Sequence, residues 1–591
     1  MTASALAAIL ERHPRDGTRL MTLLREIQET LGWLSPETIS GVARHLGWAR
    51  ARVESTAGFY SFFHTRPMGD YRVLFSDNIT DRMLGSRELM QALCKRLWLE
   101  PGRVSEDGLV SVDATSCTGL CDQGPAALVN GRAIANLTPA RVDALAELIR
   151  DRVPLSRWPA EWFRIDDNIR RRDALLDHGL APGEALTAAL ALGPQRLLDE
   201  IRHSGLRGRG GAGFSTATKW QACRDAPGEA RYVVCNADEG EPGTFKDRVL
   251  LTACPDLVFE GMTLAGLAVG ATKGLLYLRG EYRYLLEPLE AVLAKRREAG
   301  LLANPIVAHG FDIEIHLGAG AYICGEESAL IESLEGKPGK PRIRPPFPVT
   351  HGYLGQPTAV NNVETLAAAC LVARHGGAAF AATGTAKSAG TKLLSVSGDV
   401  ARPGIYEYPF GISVARVLED AGAVDTQAVQ ISGAAGHCLA DDEFGRRIAY
   451  EDVATAGSFM VFDRSRDMFD VAANFVQFFA HESCGFCTPC RVGTAVNHRL
   501  MGKIAAGHGS PYDINEMFRM HRLMQGASHC GLGNSATTAL VDMLTKFKPA
   551  FERRLKSLDY EPGFDLDYAL SIARQMTGRD DADAHLMDEK R

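Results

Sequence analysis

The segment Gly205-Leu-Arg-Gly-Arg-Gly-Gly-Ala-Gly213, followed by Phe214, puts five glycines in nine residues, and the rest of the chain is read outward from it. Gly208, Gly210 and Gly213 satisfy G-x-G-x-x-G, the pattern of a strand-to-helix dinucleotide loop. The residues before it, Arg196 to His203, have helical periodicity, so the ordinary nucleotide-binding βαβ unit does not fit. No Gly-Lys-Ser/Thr follows at the right spacing, which excludes a Walker A loop. What remains is physical. Glycines let backbone N–H groups approach an anion closely, and Arg207, Arg209 and Lys219 add positive charge.

Three further loops repeat the recipe. Cys235-Asn-Ala-Asp-Glu-Gly-Glu-Pro-Gly-Thr244 follows an apolar strand, Tyr232–Val234, and sets acids where an α/β sheet places its ligand contacts. Acids there can accept hydrogen bonds from ribose hydroxyls or a carboxamide. Gly318-Ala-Gly-Ala-Tyr-Ile-Cys-Gly-Glu-Glu-Ser328 combines small residues, an aromatic and paired acids ahead of a helix. Pro357-Thr-Ala-Val-Asn-Asn-Val-Glu-Thr365 has two asparagines ahead of a helix, which they can cap. One such loop alone reads as a solvated turn. Four within one α/β domain point to a large dinucleotide-plus-flavin pocket.

At 591 residues the chain is expected to form about three or four domains. Its 46% hydrophobic and 23% charged composition is that of a globular protein, and a net charge of −7 gives no footprint for nucleic acid or a membrane surface. Ala5 to Leu10, followed at once by Glu11, Arg12 and Arg15, reads as an amphipathic helix rather than a signal peptide. Thirteen unevenly spread cysteines fit a reducing compartment, so the cytoplasm is expected.

The sequence Glu482-Ser-Cys-Gly-Phe-Cys-Thr-Pro-Cys-Arg-Val-Gly493 sets Cys484, Cys487 and Cys490 at C-x-x-C-x-x-C. Three thiolates so spaced converge on one cluster face, and Cys530 is the only cysteine downstream to serve as a fourth ligand. Structural zinc also takes four thiolates, so the motif alone leaves both metals open. His481 and His529 read as neighbours rather than ligands.

The four loops resemble, nearly word for word, the flavoprotein subunit of respiratory complex I and its soluble relatives. That resemblance implies that Gly208, Arg209, Gly210, Gly211, Ala212 and Gly213 cradle phosphate. It implies that Lys219, Asn236, Asp238, Asn361, Asn362 and Thr365 hold FMN. Phe214, Glu239, Glu241, Tyr322, Gly325, Glu326, Glu327 and Phe347 would frame the flavin and NAD(H), with Glu241 and Glu327 near the nicotinamide. Where the family often has Lys before Pro-Pro-Phe, this chain has Arg344, a planar fork instead of a point charge. Hydride would pass between nicotinamide and flavin with no side chain acting as acid or base. Glu239 and Glu241 would repel a 2′-phosphate and so favour NAD. Within this family the cysteine motif binds [4Fe–4S], which assigns Cys484, Cys487, Cys490 and Cys530 to one such cluster.

Residues 1–150 resemble the small thioredoxin-like component of the same complex, fused to the flavoprotein. Helical spacing runs through Leu6, Leu10, Leu20, Leu23 and Leu24, and the Asn130–Gly131 turn predicts a hairpin. That family holds [2Fe–2S] through two cysteine pairs. Cys117 and Cys121 supply one pair, but Ser76 and Asp81 fall where the other belongs, so the N-terminal [2Fe–2S] is expected to be absent.

The fold expected is α/β multidomain. Residues 1–150 form a helical segment plus thioredoxin-like domain, 151–194 a linker wrapping over the next domain, and 195–388 the α/β FMN- and NAD(H)-binding domain. Residues 389–462 form a small β-containing, ubiquitin-like module, 463–557 a helical [4Fe–4S] domain and 558–591 a loosely ordered tail. The fused layout, with Gly58-Phe-Tyr-Ser-Phe-Phe63 and Asp247-Arg-Val-Leu-Leu-Thr252, most resembles the diaphorase flavoproteins of soluble NAD-reducing nickel–iron hydrogenases. The expected partners are an iron–sulfur electron-transfer subunit and, through it, hydrogenase subunits. NAD-dependent formate dehydrogenase and NADH-quinone oxidoreductase are the alternatives. From other classes, a structural protein without redox activity would be colourless, and a zinc-stabilised binding module would hold zinc and no iron.

Overall fold

Tyr232–Ala237 and Lys273–Leu278 are nearly continuous apolar runs, the composition of strands covered on both faces. In the computed structural model, which describes residues 2–304, 310–556 and 566–580, they form the middle of a four-stranded all-parallel sheet. Asp312–Leu317 and Thr358–Asn362 are its edges. Alternation along the strands sorts their side chains between two cores. Val233, Cys235, Leu276 and Leu278 pack with the helices Glu184–Leu192, Pro255–Val269 and Val363–His375. Val234, Leu275, Tyr277 and Val360 face the opposite core.

That second face is covered by the N-terminal helices. Leu20, Leu23, Leu24 and Ile27 of Leu20–Leu31 belong to the same core as Val234 and Leu275, and Arg25 donates to the Leu317 carbonyl at 2.7 Å. The first 150 residues therefore divide in two. The helices up to Phe59 complete the sandwich around the parallel sheet, while Tyr71–Arg150 encloses a core of its own. This second unit has a four-stranded sheet in which Tyr71–Ser76 lies between the parallel Val110–Thr115 and the antiparallel Ala127–Val129. The Asn-Gly hairpin forms between Ala127–Val129 and Arg132–Ile134, and Asn130 and Gly131 both take positive φ.

Residues 151–194 do more than connect. Ile169–Arg171 adds an edge strand to the third sheet, and Ala185, Leu186 and Ala189 are fully buried against Val363–His375. That sheet otherwise comes from residues 391–463, with the helix Val414–Ala421 on one face. Helices from Met468 to Glu552 carry the cysteine motif. Of the expected tail, 558–565 and 581–591 lie outside the described residues, and Leu566–Thr577 is helical. No single helix among the described residues is long and apolar enough to cross a membrane.

The Tyr71–Arg150 unit is locked to the parallel-sheet domain through one loop. Asp122 pairs with Arg248 at 3.0 Å with both side chains wholly buried, and Arg279 donates to the Cys117 carbonyl at 2.7 Å. Removing one partner strands a buried charge, whereas removing both leaves only a packing defect. Asp122→Leu should therefore destabilise the docked unit by about 3–5 kcal/mol, and Asp122→Leu/Arg248→Leu should recover much of that loss. Thermal unfolding of both variants measures the difference.

Candidate functional site

Three of the four sequence-flagged loops leave the carboxyl ends of parallel strands of one sheet. The glycine loop arrives from elsewhere, between the helices Pro194–His203 and Thr216–Asp225, and lies across the start of Val363–His375. Arg209 N–H donates to Thr365 Oγ1 at 2.8 Å, and a Cβ on Gly210 would come within 2.9 Å of the Asn362 side chain. This close approach is what the glycines permit. Gly213 has φ +67 and faces Tyr450, whose hydroxyl donates to the Gly208 carbonyl at 2.6 Å. The N–H groups of Gly210, Gly211, Ala212 and Gly213 have no acceptor among the described residues. A run of free amide donors beside a helix start capped by Asn362 is suited to a phosphate.

The charge expected around this loop is arranged differently. Arg207 donates from Nε to the Gly213 carbonyl and lies over the Tyr450 ring. Arg209 is buried, donating to the Ala389 carbonyl at 2.7 Å and lying over Phe410. These guanidiniums brace the loop against the third sheet. Beneath it, Lys246, Asp247, Glu364 and Lys392 form a buried ion network, and Lys392 Nζ also donates to the Arg209 carbonyl at 3.2 Å. Burial brings the Lys392 ammonium down to about 7.

The remaining expected residues converge in pairs. Lys219 Nζ meets Glu327 at 2.9 Å and the Val360 carbonyl at 2.9 Å, while Arg344 lies 3.3 Å from Glu326 and 3.9 Å from Glu327. Asn236 Nδ2 donates to the Gly325 carbonyl at 2.7 Å. Glu326 also caps its helix through Ser328 and Ala329. Asn361 Oδ1 is held by Trp220, and Asn362 Nδ2 by Asp247. Phe214 and Phe347 remain exposed.

The three acids that follow Tyr232–Ala237 differ in what they can reach. Glu239 is buried and accepts from the N–H groups of Asp247 and Arg248 and from Tyr282 Oη, so it serves the start of the next helix. Asp238 keeps Oδ2 buried without a partner, and burial holds its carboxyl well above the usual range. Glu241 accepts from Tyr322 Oη at 2.5 Å and from Ala435 N–H at 3.0 Å, and burial pushes it up to about 7.

Tyr322 connects this pocket to the cysteines. Its ring packs on Phe478 and Phe479, and its neighbour Ile323 lines a cavity ringed by Cys484, Cys487, Cys490 and Cys530. Four thiols around one apolar cavity are the donor set of a tetrathiolate centre. His529 also lines this cavity, and its Nε2 is engaged with the Arg342 carbonyl at 3.0 Å.

At the N-terminal site Ser76, Asp81, Cys117 and Cys121 are brought together. Ser76 Oγ donates to Asp81 Oδ2 at 2.8 Å, Asp81 Oδ1 accepts from Ala126 N–H, and the two sulfurs stand 3.6 Å apart as free thiols. The Asp81 side chain is thereby engaged by Ser76 and by the Ala126 N–H. The sequence points to these four positions but gives no sign of Glu482, whose carboxylate accepts from Tyr322 N–H at 3.1 Å and Ser116 Oγ at 2.5 Å.

Residues 6–150 match the thioredoxin-like [2Fe-2S] ferredoxin family model, 201–370 the Nuo51 FMN-binding domain and 470–554 the NADH-ubiquinone oxidoreductase-F iron-sulfur binding region. The NAD-reducing hydrogenase HoxS subunit alpha of Cupriavidus necator is 42% identical over 585 residues, covering 96% of this chain and 97% of that one. An NADH-quinone oxidoreductase chain of Escherichia coli is 40% identical over 63% of this chain and 87% of its own length. A crystal structure of NAD+-reducing [NiFe]-hydrogenase in the H2-reduced state superposes with TM-score 0.89 at 44% identity, covering 97% of this chain and 99% of that one.

Glu241 has an ordinary value of 4.5, raised to about 7 in the folded chain, so folding takes up a proton between those values and stability is lost as pH rises through about 7. The nucleotide-free wild type should lose thermal stability more steeply over that window than Glu241→Gln, as melting curves across the range would record.

Proposed function

The chain belongs to the family of NAD-reducing hydrogenase alpha subunits, and from that premise we propose that the glycine-loop pocket binds FMN and NAD(H) and the four-cysteine cavity one [4Fe–4S] cluster. The protein is an NAD-dependent flavin and iron–sulfur oxidoreductase, the diaphorase subunit of a hydrogenase working with partner subunits on H2 and NAD+. The observation that carries the site assignment is the Tyr322–Ile323 step, one residue bonded to Glu241 in the acid pocket and the next lining the cysteine cavity. Bound FMN supplies two-electron exchange with the nicotinamide and one-electron exchange with the cluster.

The chain's own residues position and insulate. The free N–H groups of Gly210 to Gly213 would hold a phosphate, with Asn362 and Thr365 fixing the loop beneath. Lys219, Asn236, Asp238, Asn361 and Gly325 would border the flavin, and Glu326, Glu327 and Arg344 the nucleotide. Phe214 and Phe347, both exposed, would stack at the mouth. Glu241 is poised near neutrality beside Tyr322 and would adjust its charge as the nicotinamide changes its own. Glu239 would act one step back, by positioning the acid loop. Phe486 and Val492 are exposed on the segment that carries the cysteines and suit docking of the iron–sulfur partner. The domain limits proposed are 1–150, 151–194, 195–388, 389–462 and 463–557, with residues up to Phe59 packing on the flavin domain. The cytoplasm is the proposed compartment.

We further propose that the thioredoxin-like unit carries no [2Fe–2S] centre, because Ser76 and Asp81 are occupied with each other. Iron analysis of the anaerobically purified complex tests both assignments. Cys530→Ser should lose about four irons per complex and slow electron delivery to the partner by more than about tenfold, while NADH still bleaches the flavin. Cys117→Ala/Cys121→Ala should leave iron content unchanged, and a loss of about two irons would overturn that reading.

A further inference from the structure

Away from the glycine loop and the cysteines, a small cavity of about 80 Å³ lies where three parts of the chain meet. Arg25 enters it from the helix Leu20–Leu31, Arg72 from the strand Tyr71–Ser76, and Arg283 from the turn after Lys273–Leu278. Glu29 is the sole carboxylate in its lining and is engaged by Arg283 at 2.5 Å. Arg25 uses Nη2 on the carbonyls of Leu317 and Gly318. The Arg72 guanidinium has no hydrogen-bond or ion-pair partner among the described residues, and half-buried among Leu74, Leu128 and Phe62 it is only partly open to water.

The charge balance is unusual for an interdomain seam. Three guanidiniums face one carboxylate, and His64, the remaining titratable group in the lining, is held neutral by burial at about 4. Burial and the neighbouring Arg283 charge together depress Arg25, to about 10, and also Arg72. Guanidiniums remain cationic even so, because their intrinsic values are very high. A partly desolvated cluster with two uncompensated positive charges is stabilised by a bound anion, and planar forks match phosphoryl or carboxylate oxygens in pairs. The space is small, suited to a compact anion, and Phe62 and Phe63 add an apolar wall.

We propose that this cavity binds a small organic or inorganic dianion bearing phosphoryl or carboxylate groups, separately from the flavin and dinucleotide pocket. The site exists only when the N-terminal helices, the thioredoxin-like unit and the flavin domain are assembled, because each gives one arginine. It also backs onto Leu317 to Ala319, the start of the loop that carries Tyr322. An occupant there braces the loop from behind.

Calorimetric titration of the intact holo-complex, with NAD+ saturating the dinucleotide site, tests this. Inorganic pyrophosphate is the probe in one arm and citrate in the other, and the tighter binder identifies the preferred oxyanion. One equivalent per chain is expected. Arg72→Gln should weaken binding by about tenfold or more, as for loss of a charge-assisted contact, and Arg72→Lys by less. Glu29→Gln should tighten it, and opposite signs from two variants cannot come from misfolding. Absence of binding to the wild type, or equal affinity in wild type and both variants, overturns the proposal. So does release of a partner subunit by Arg72→Gln without loss of anion affinity, which would mark the cluster as a protein contact. FMN and iron content should be unchanged in all variants, so failure here is distinct from failure of the flavin and cluster assignments.

Discussion

Glu482 accepts a hydrogen bond from Tyr322 N–H with one carboxylate oxygen and from Ser116 Oγ with the other, two residues before the first cysteine of the C-x-x-C-x-x-C motif. Three separately folded regions meet on this side chain. Tyr322 belongs to the loop after the strand Asp312–Leu317, Ser116 to the segment preceding Cys117, and Glu482 to the last turn of Met468–Glu482. The distance between acid pocket and cysteine cavity is therefore set by two hydrogen bonds to a rigid helix end. Electron transfer between two carriers depends steeply on their separation, so a fixed seam matters more here than extra stability. The aromatic packing of Tyr322 on Phe478 and Phe479 reinforces the same seam with apolar contacts that need no exact angle.

The buried acids follow from that arrangement. A pocket framed by Asp238, Glu239 and Glu241 would repel any anion if all three were charged and solvent-free. The fold avoids this in two ways. Burial raises all three carboxyls, Glu239 and Glu241 to about 7 and Asp238 well above the usual range, and Glu239 is further engaged by helix N–H donors and by Tyr282. Negative charge is thus withheld until a ligand or solvent stabilises it, and the free amides of the glycine loop are left as the anion-attracting end.

The glycine loop, the acid loops and the cysteines are legible in sequence because each is local: its composition and spacing state its chemistry. The parallel sheet is legible for a similar reason, since strands covered on both faces cannot alternate with polar residues. What stays hidden is long-range. Nothing near Leu20 or Leu24 shows that they cover Val234 and Leu275, more than two hundred residues on, instead of packing with Tyr71–Arg150. Residues 151–194 look like a linker because Pro and Arg dominate, yet Ala185 and Ala189 are small enough to let a helix sit directly on Val363–His375. The strand Val110–Thr115 lacks an apolar run because Ser111, Asp113 and Thr115 alternate with its core residues. Arg209 reads in sequence as a phosphate ligand, and only the packed structure shows its guanidinium committed to the Ala389 carbonyl and Phe410.

The thioredoxin-like unit keeps a polar knot where four cluster ligands would stand, and the physics of that knot accounts for its retention. Cys117 and Cys121 meet at 3.6 Å with either sulfur able to donate, a contact that draws the Cys117 thiol down and pushes Cys121 up. Burial, with the Cys117 charge beside it, holds the Asp81 carboxyl well above the usual range, and Ser76 donates to it. Arg279, paired with Glu281, donates to the Cys117 carbonyl and, through its other nitrogen, to the Glu239 carbonyl. Asp122, next in the chain to Cys121, answers Arg248 at the helix start that Glu239 holds. The segment around Cys117 thus orders the acid loop through Arg279 and Arg248, and a substitution that removed either contact would be felt first at Glu239.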